Sequence, residues 1–277
     1  MEHRETFYEV ADHIATVTLN RPAKLNAWTA VMEREVRAAM EAADADNDVR
    51  VIILTGSGRG FCAGADMSLL NNLAQGADME RAEVLRNAGG SAPPRQGARD
   101  DFQKRYSYFP SLTKPVIAAI NGPAVGLGFI LTLYCDLRFA SDQSRFGTAF
   151  ARRGLIAEYG MAWLLPRLIG LPCALDLLLS ARMIDSAEAL RIGLVNRVFP
   201  HDQFMDGVRA YARELAAGVS PRSMRIIKRQ VYNAQFQELG EAFETAEEEM
   251  IESLKSDDFK EGVAHFLEKR APVFTGR

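Results

Sequence analysis

Two short apolar runs that each lead directly into a glycine-rich turn constrain the fold of this 277-residue chain more than any other feature. The first lies in residues 51–67, VIILTGSGRGFCAGADM, and the second in residues 116–128, VIAAINGPAVGLG. Aliphatic and β-branched runs of this length are typical of buried strands. Glycine then allows backbone conformations closed to other residues and a close approach to a ligand. We therefore expect an α/β core in which two strands lead into two turns of the same kind.

A strand that feeds a glycine turn and a helix start leaves backbone N–H groups pointing outward, toward an anion or a polarised carbonyl oxygen. Two such turns in one core can aim two N–H groups at one point, which is the geometry of an oxyanion hole. Ala65 and Leu127 are the candidate donors, because each stands directly beside glycine. An ordinary tight turn is the alternative interpretation of either segment.

The amino-acid composition is that of a globular protein and argues against binding of nucleic acid. Hydrophobic residues make up 48% and charged residues 25%, values ordinary for a globular protein, and the net charge of −3 supplies no basic field for nucleic acid. Three widely spaced cysteines, Cys62, Cys135 and Cys173, form no pair suited to disulfides or a thiolate metal site, so we expect a reducing cytoplasm and no metal. No signal peptide or membrane span is predicted.

Hydrophobic periodicity predicts the secondary structure around these turns. Strands are expected at residues 14–19, 51–54, 116–120 and 136–141, and a helix start near Asp66. Helices are expected at residues 29–43, 129–135, 166–179, 186–191, 203–216, 221–237 and 239–254, with Ser186 as an N-cap and Gly193 as a stop. Residues 71–100 lose periodicity and predict an irregular excursion. The predicted organisation is an α/β core at 1–200 and a helical region at 201–277.

Common catalytic motifs are missing from the chain. No P-loop, H-E-x-x-H or G-x-S-x-G motif is present, which removes the usual support for phosphate-loop, metal and serine-hydrolase chemistry. Residues 58–63 satisfy a loose G-x-G-x-x-A dinucleotide pattern. A dinucleotide-binding unit, however, needs a helix that begins within the glycines and a parallel strand soon after that helix. Residues 71–100 are irregular and predict no such strand.

Four segments together resemble the crotonase family, the enoyl-CoA hydratases and isomerases. They are RPAKLNAW, GFCAGADM, NGPAVGLGFILTLYCDLRFAS and GLIAEYG, which occur in the family's order over nearly the whole chain. The resemblance implies a spiral of repeated ββα units, a C-terminal helical trimerisation region and an acyl-CoA thioester substrate. No separate cofactor is implied, and a homotrimer or a dimer of trimers is expected.

The same resemblance implies roles for individual residues. Ala65 and Leu127 would supply the N–H groups that hold the enolate oxygen. The residues matching the CoA-binding segments are Lys24, Leu25, Ala63, Asp66, Met67 and, in the C-terminal region, Phe266 and Lys269.

One departure from the family pattern bears on the reaction. Hydratases of the family carry two glutamates that position and deprotonate water, and the matching positions here are Ile130 and Phe150, which cannot transfer a proton. Glu158, in GLIAEYG, matches the position of the single acidic base in peroxisomal-type enoyl-CoA isomerases and ring-epoxide isomerases. Among apolar neighbours its pKa should be raised, which suits a base that moves a proton from the α to the γ carbon.

Several alternatives remain open at this point. Within the fold, Glu158 could hydrate an enoyl-CoA with an unidentified partner, and from another class the chain could bind acyl-CoA without converting it. A family hydrolase or dehalogenase would normally use a central histidine, but none occurs between His13 and His201. Asp136 is expected to be a structural hydrogen-bonding residue, and Arg152 and Arg153 a solvated pair.

Overall fold

The predicted strands at 51–54 and 116–120 are aliphatic at every position, which is typical of strands in a sheet that is covered by other elements on both faces. The computed structural model describes residues 5–67, 71 and 98–277. In these ranges the strands are β1 (Thr6–Ala11), β2 (Ile14–Leu19), β3 (Val51–Gly56), β4 (Val116–Ile120), β5 (Ala124–Val125), β6 (Leu137–Ser141), β7 (Arg145–Gly147), β8 (Ile184–Asp185) and β9 (Arg197–Phe199).

The described strands form two sheets. The larger has the order β1-β2-β3-β4-β6-β9, with β1 antiparallel to β2 and every other neighbouring pair parallel. The smaller has the order β5-β7-β8, with β5 parallel to β7. Strand β4 lies in the larger sheet and the next strand, β5, lies in the smaller one. In the same way, β6 lies in the larger sheet and is followed by β7 in the smaller one. This alternation produces the predicted ββα step.

Helices surround the sheets and make up the C-terminal part of the chain. Those in the described ranges are α1 (Ala30–Ala45), α2 (Leu127–Tyr134), α3 (Met161–Ile169), α4 (Leu171–Ser180), α5 (Ser186–Arg191), α6 (Phe204–Gly218), α7 (Pro221–Asn233), α8 (Leu239–Lys255) and α9 (Asp257–Glu268). No helix in the part of the chain that the structure describes is long and apolar enough to cross a membrane.

The two faces of the larger sheet belong to two apolar clusters. Along β2, Ala15 and Val17 point into the cluster that contains α1 and α2, whereas Ile14 points to the opposite face. There α6 covers the sheet with Phe204 and Val208. Alternating residues of one strand thus contribute to different cores.

Most predicted elements are confirmed. The strands at 14–19 and 116–120 have the predicted bounds, and the predicted helices after residue 200 begin within one residue of prediction. Met67 is helical, as expected for a helix starting near Asp66, and Gly193 follows α5 with φ +78°. The excursion predicted at 71–100 lies outside the described residues except for 71 and 98–100.

Some predictions were wrong in detail. The single helix expected at 166–179 is two helices, α3 and α4, because Gly170 between them has φ +77° and cannot continue a helix. The N-cap of α5 is Asp185, whose carboxylate accepts the Glu188 N–H at 2.8 Å, and Ser186 is the first helical residue. The helix expected at 221–237 ends at Asn233. The strands β1, β5, β7, β8 and β9 and the helix α9 were missed.

The predicted mixed α/β fold with helices at the C-terminus is confirmed, while the division at residue 200 stays a prediction. Lys228 on α7 ties this helical region to the core. Its ammonium donates to the carbonyls of Phe109 and Lys114 at 3.1 and 3.0 Å and to Asp136 Oδ2 at 2.7 Å. The same carboxylate oxygen accepts the Val116 N–H at 2.6 Å, which confirms the structural role expected for Asp136.

Replacing Lys228 by Met should lower the free energy of unfolding by about 3–5 kcal/mol, because it leaves the Asp136 carboxylate without its buried counter-ion. Urea unfolding followed by circular dichroism measures the loss. Lys260→Met is the control: it removes an exposed ion pair with Asp257, 2.9 Å long, and should leave the free energy nearly unchanged. Equal losses in the two variants would contradict the anchoring role of Lys228.

Candidate active site

Backbone hydrogen bonds join the two glycine-rich turns directly. Cys62 N donates to Pro123 O at 3.0 Å, and Val125 N donates to Cys62 O at 2.9 Å. These bonds form an isolated parallel bridge between Cys62 and Ala124. The turn after β3 and the turn after β4 are therefore paired side by side through their backbones. That they aim two N–H groups at one point stays a prediction.

Glycine is required where the turns touch. A Cβ added to Gly128 would overlap the Cys62 carbonyl oxygen and lie 2.7 Å from Cys62 Cβ. A Cβ on Gly64, which has φ +101°, would lie 3.0 Å from Val125 O. Gly126 also has a positive φ, +56°, immediately before α2. These glycines allow the two main chains to approach more closely than side chains would permit.

The Ala65 N–H group is oriented by the bonds on either side of it. Trp28 N donates to Gly64 O at 2.7 Å, and Asp66 N donates to Trp28 O at 3.0 Å. The Gly64 carbonyl and the Asp66 N–H therefore both point toward Trp28. Because the N–H of a trans peptide points away from its carbonyl, the N–H of Ala65 points to the opposite side. It has no hydrogen-bond partner among residues 5–67, 71 and 98–277. Ala65 is thus an available donor.

Leu127 presents the second N–H group. It is the first residue of α2, and the first intrahelical bond runs from Ile130 N to Gly126 O at 3.0 Å. The Leu127 N–H therefore precedes the helical ladder and has no acceptor in the described part of the chain. The partial positive charge of the helix N-terminus adds to its attraction for a negative oxygen. Ala65 and Leu127 each lie three residues beyond the bridged pair Cys62 and Ala124.

Glu158 lies in the loop before α3 and is half-buried. Burial raises the pKa of its carboxyl group above the ordinary glutamate value, as the sequence predicted. Its carboxylate makes no hydrogen bond or ion pair with any residue the structure describes, although its backbone carbonyl accepts the Met161 N–H at 3.0 Å. A half-buried carboxylate without a partner is free to exchange a proton with a ligand.

A series of aromatic rings links the oxyanion-hole candidate to Glu158. Trp28, which is bridged to Ala65, packs edge-on against Tyr106 with ring centroids 6.1 Å apart. Tyr106 packs edge-on against Tyr159, the residue after Glu158, at 4.8 Å. The rings place the loop of Glu158 on the same side of the molecule as the Ala65 turn.

The two hydratase-type positions are apolar and buried. Ile130, in the middle of α2, has no exposed surface, and Phe150 is 7% exposed. Both belong to the large core cluster that also packs against Leu127 and Ala157. Neither position can hold or activate a water molecule through a side-chain hydrogen bond.

Three other potentially reactive side chains in the described residues, Cys62, His13 and His201, have structural surroundings. Burial raises the pKa of the Cys62 thiol to about 12, so it does not form a thiolate near neutral pH. His13 bonds the Asp48 carbonyl at 2.7 Å, and His201 Nδ1 lies 2.9 Å from Ser141 Oγ. In the described ranges, no group of three His, Cys, Asp or Glu side chains is placed to hold a metal ion.

Four predicted CoA-binding residues are brought together beside the first turn. Ala63 N donates to Leu25 O at 2.9 Å, which sets the exposed Lys24 next to the same turn. Asp66 accepts from Arg21 Nη1 at 2.9 Å, an ion pair that sequence reasoning did not anticipate. Their role in holding CoA stays a prediction.

The remaining predicted CoA-binding residues are exposed. Met67 is 64% exposed beside the turn, and Phe266 on α9 is 77% exposed. Lys269 caps α9 in a left-handed conformation with φ +54°. Within one chain, no hydrogen bond or ion pair between described residues joins the end of α9 to the glycine turns. The family resemblance implies that Phe266 and Lys269 reach the nucleotide of CoA either from a neighbouring subunit or from the chain's own tail, and this stays a prediction.

Comparison with known sequences decides the family. The profile described as enoyl-CoA hydratase/isomerase matches residues 9–277. The chain belongs to the enoyl-CoA hydratase/isomerase family.

Individual family members match along their full length. A protein named "Probable enoyl-CoA hydratase" from Rhodobacter capsulatus is 35% identical over 277 residues, covering 100% of both chains. The 1,2-epoxyphenylacetyl-CoA isomerase of Escherichia coli is 31% identical over 265 residues, covering 95% of each. A solved enoyl-CoA hydratase subunit from Geobacillus kaustophilus matches with a TM-score of 0.87 at 34% identity, covering 100% of both chains. The crotonase-type fold inferred from the sequence motifs is confirmed.

Four residues near the site were missed by sequence reasoning. They are Trp28, Glu33, Arg105 and Tyr106, which cluster beside Tyr159. Trp28 lies within the segment RPAKLNAW that carried part of the family resemblance, so a signal for it existed. Glu33 and Arg105 are separated by 72 residues, and no local pattern links them.

Replacing Gly128 by Ala should lower the free energy of unfolding by about 1–3 kcal/mol, because the new methyl group collides with Cys62 backbone and forces the turns apart. Urea unfolding measures the change. Gly240→Ala on α8 is the matched control: no atom lies within 4 Å of its added Cβ, so helix propensity alone should make it neutral or stabilising. A stabilising effect at both positions would refute close contact between the turns.

Proposed function

We propose that this family member shifts a carbon–carbon double bond of an enoyl-CoA thioester, with Glu158 as the single acid–base group. One observation carries the proposal: Glu158 is a half-buried carboxylate with a raised pKa and no described partner, while the two hydratase-type positions hold buried Ile130 and Phe150. The Escherichia coli relative that is named an isomerase supports the same choice.

The proposed reaction moves one proton. The thioester carbonyl oxygen accepts hydrogen bonds from the N–H groups of Ala65 and Leu127. The Glu158 carboxylate removes a proton from the α carbon of a 3-enoyl thioester, and the electron pair moves into the carbonyl to form a dienolate. The two N–H groups stabilise the negative oxygen that develops. The carboxylic acid then returns the proton to the γ carbon, which gives the 2-enoyl thioester and restores Glu158.

Hydration is the second candidate, because most of the named relatives are hydratases. It would require Glu158 to activate water and a further group to orient it. Ile130 and Phe150 provide no such group, so the partner is unidentified. For this reason isomerisation accounts better for the residues at the site.

The substrate is proposed to be an acyl-CoA held by Lys24, Leu25, Ala63, Asp66 and Met67. No separate cofactor is proposed. The assembly is proposed to be a homotrimer or a dimer of trimers in which Phe266 and Lys269 reach the nucleotide of CoA. Large exposed apolar side chains on the C-terminal helices support an association of this kind; among them are Phe243, Met250, Leu254 and Val263.

Glu158→Gln should abolish exchange of the substrate's α proton with solvent, because an amide cannot accept that proton. Exchange into a saturated acyl-CoA in D₂O, followed by mass spectrometry, measures the step without turnover. Glu188→Gln is the control, since that carboxylate is held by Arg182 on a surface helix, and it should exchange at the wild-type rate. Undiminished exchange in Glu158→Gln would remove Glu158 from the mechanism.

Incubation of the wild-type protein with crotonyl-CoA and separately with a 3-enoyl-CoA distinguishes the candidates. Migration of the double bond supports isomerisation. Loss of unsaturation means hydration instead, and binding without chemical change means a non-catalytic acyl-CoA-binding protein.

The pH dependence should show the raised pKa of Glu158. Only the carboxylate accepts a proton, so kcat/KM should fall as the pH drops through the pKa of the free enzyme. Because burial raises this pKa, the midpoint should lie above that of an ordinary, solvated glutamate. A midpoint at or below the ordinary value would contradict the desolvated site.

A further inference from the structure

A bidentate ion pair lies against the aromatic rings beside the proposed site. Both Nε and Nη2 of Arg105 donate to the two carboxylate oxygens of Glu33 on α1. The two side chains are only 13% and 18% exposed. Two parallel hydrogen bonds fix the position of the guanidinium plane as well as its charge.

The ion pair is integrated into the aromatic series. Trp28 Nε1 and the Tyr106 hydroxyl each lie 3.4 Å from Glu33 Oε2. The Arg105 guanidinium lies 5.2 Å from the ring centroid of Tyr106 and 5.8 Å from that of Tyr159. Its Nη1 also lies 3.4 Å from the Tyr159 hydroxyl. One side of the pair thus contacts the residue bridged to Ala65, and the other contacts the residue after Glu158.

Tyr159 has a backbone conformation that a side chain disfavours. Its φ is +47°, in the left-handed region, and such a residue persists only where its surroundings hold it. Its carbonyl accepts the Tyr134 hydroxyl at 2.7 Å, while its ring is held by Tyr106 and Arg105. The direction in which the chain presents Glu158 depends on this conformation, because the two residues share a peptide bond.

We infer that Glu33 and Arg105 act as positioning residues that hold Tyr159 in its left-handed conformation and thereby fix Glu158 relative to the Ala65 N–H group. The effect of the pair on catalysis rests on the proposed function. Its effect on the structure rests only on the contacts of Tyr159. Neither positioning residue needs to touch the substrate. An ion pair that is largely removed from water adds little to stability on balance, so its value here is in geometry.

Kinetic measurements test the catalytic consequence. In Glu33→Gln and Arg105→Gln, kcat for α-proton exchange should fall by about 10²-fold, the cost of misplacing a reacting group by roughly 1 Å. KM should change little, because CoA binding does not involve the pair. Arg105→Lys keeps the charge but loses the bidentate geometry and should give an intermediate rate. The double variant should be no slower than the slower single variant, since both act through one unit.

Amide hydrogen exchange tests the structural consequence without activity. The amides of Leu155 and Met161 donate to Phe150 O and Glu158 O, both at 3.0 Å. Exchange in residues 155–164 should become at least about tenfold faster in Arg105→Gln, while the strands of the larger sheet keep wild-type rates. Arg182→Gln is the matched control: it breaks a bidentate pair with Glu188 away from the rings and should leave this segment unchanged.

The possible results distinguish the positioning role of the Glu33–Arg105 pair from the proposed function. If kcat and the exchange of residues 155–164 are both unchanged in Arg105→Gln, the positioning role is wrong. If all strands exchange faster in step with that segment, the pair serves general stability, and the positioning role is again wrong. If Glu158→Gln retains α-proton exchange, the proposed function fails, but local exchange in Arg105→Gln still decides whether the pair holds the loop.

Discussion

The backbone pairing of Cys62 with Pro123 and Val125 is the constraint on which the proposed site depends. It fixes the two turns relative to each other through main-chain atoms, so the direction of the free N–H groups does not depend on the side chains that carry them. It also explains the glycine at 128, where any Cβ would meet the Cys62 backbone. Any residue other than proline at positions 65 and 127 would therefore keep the donors. Gly128, in contrast, cannot be replaced without moving a turn.

Elements of the fold were predictable from the sequence where hydrophobic burial determines them. Strands β2 and β4 had their predicted bounds because each buries nearly all of its aliphatic residues, and burial is what hydrophobic pattern reports. Strand β1 was missed because it is exposed along most of its length and its sequence marks no buried face. Apolar periodicity also joined α3 to α4, since the break at Gly170 comes from a single backbone dihedral rather than from a change in hydrophobicity.

The candidate site was predictable only where motifs are local. Ala65, Leu127 and Glu158 lie in short segments with a characteristic order, and the sequence identified all three as candidates. The Glu33–Arg105 pair depends on tertiary packing that brings α1 to residues far along the chain. Charged residues at such separation resemble ordinary surface residues in the sequence, because neither hydrophobicity nor spacing distinguishes a partly buried pair from an exposed one.

The burial of Glu158 has opposite effects on catalysis and on stability. Desolvation disfavours the carboxylate, which raises the pKa and makes the carboxylate a stronger base when it does form. In the unfolded chain the same group ionises at its ordinary, lower pKa. The folded protein therefore binds the proton more tightly, and stability falls as pH rises from the unfolded pKa to the folded one. An ion pair at Glu158 would remove this loss but would also lower its basicity. The guanidinium of Arg105 is instead bound by Glu33, so the site gains a fixed loop without a cation committed to its base.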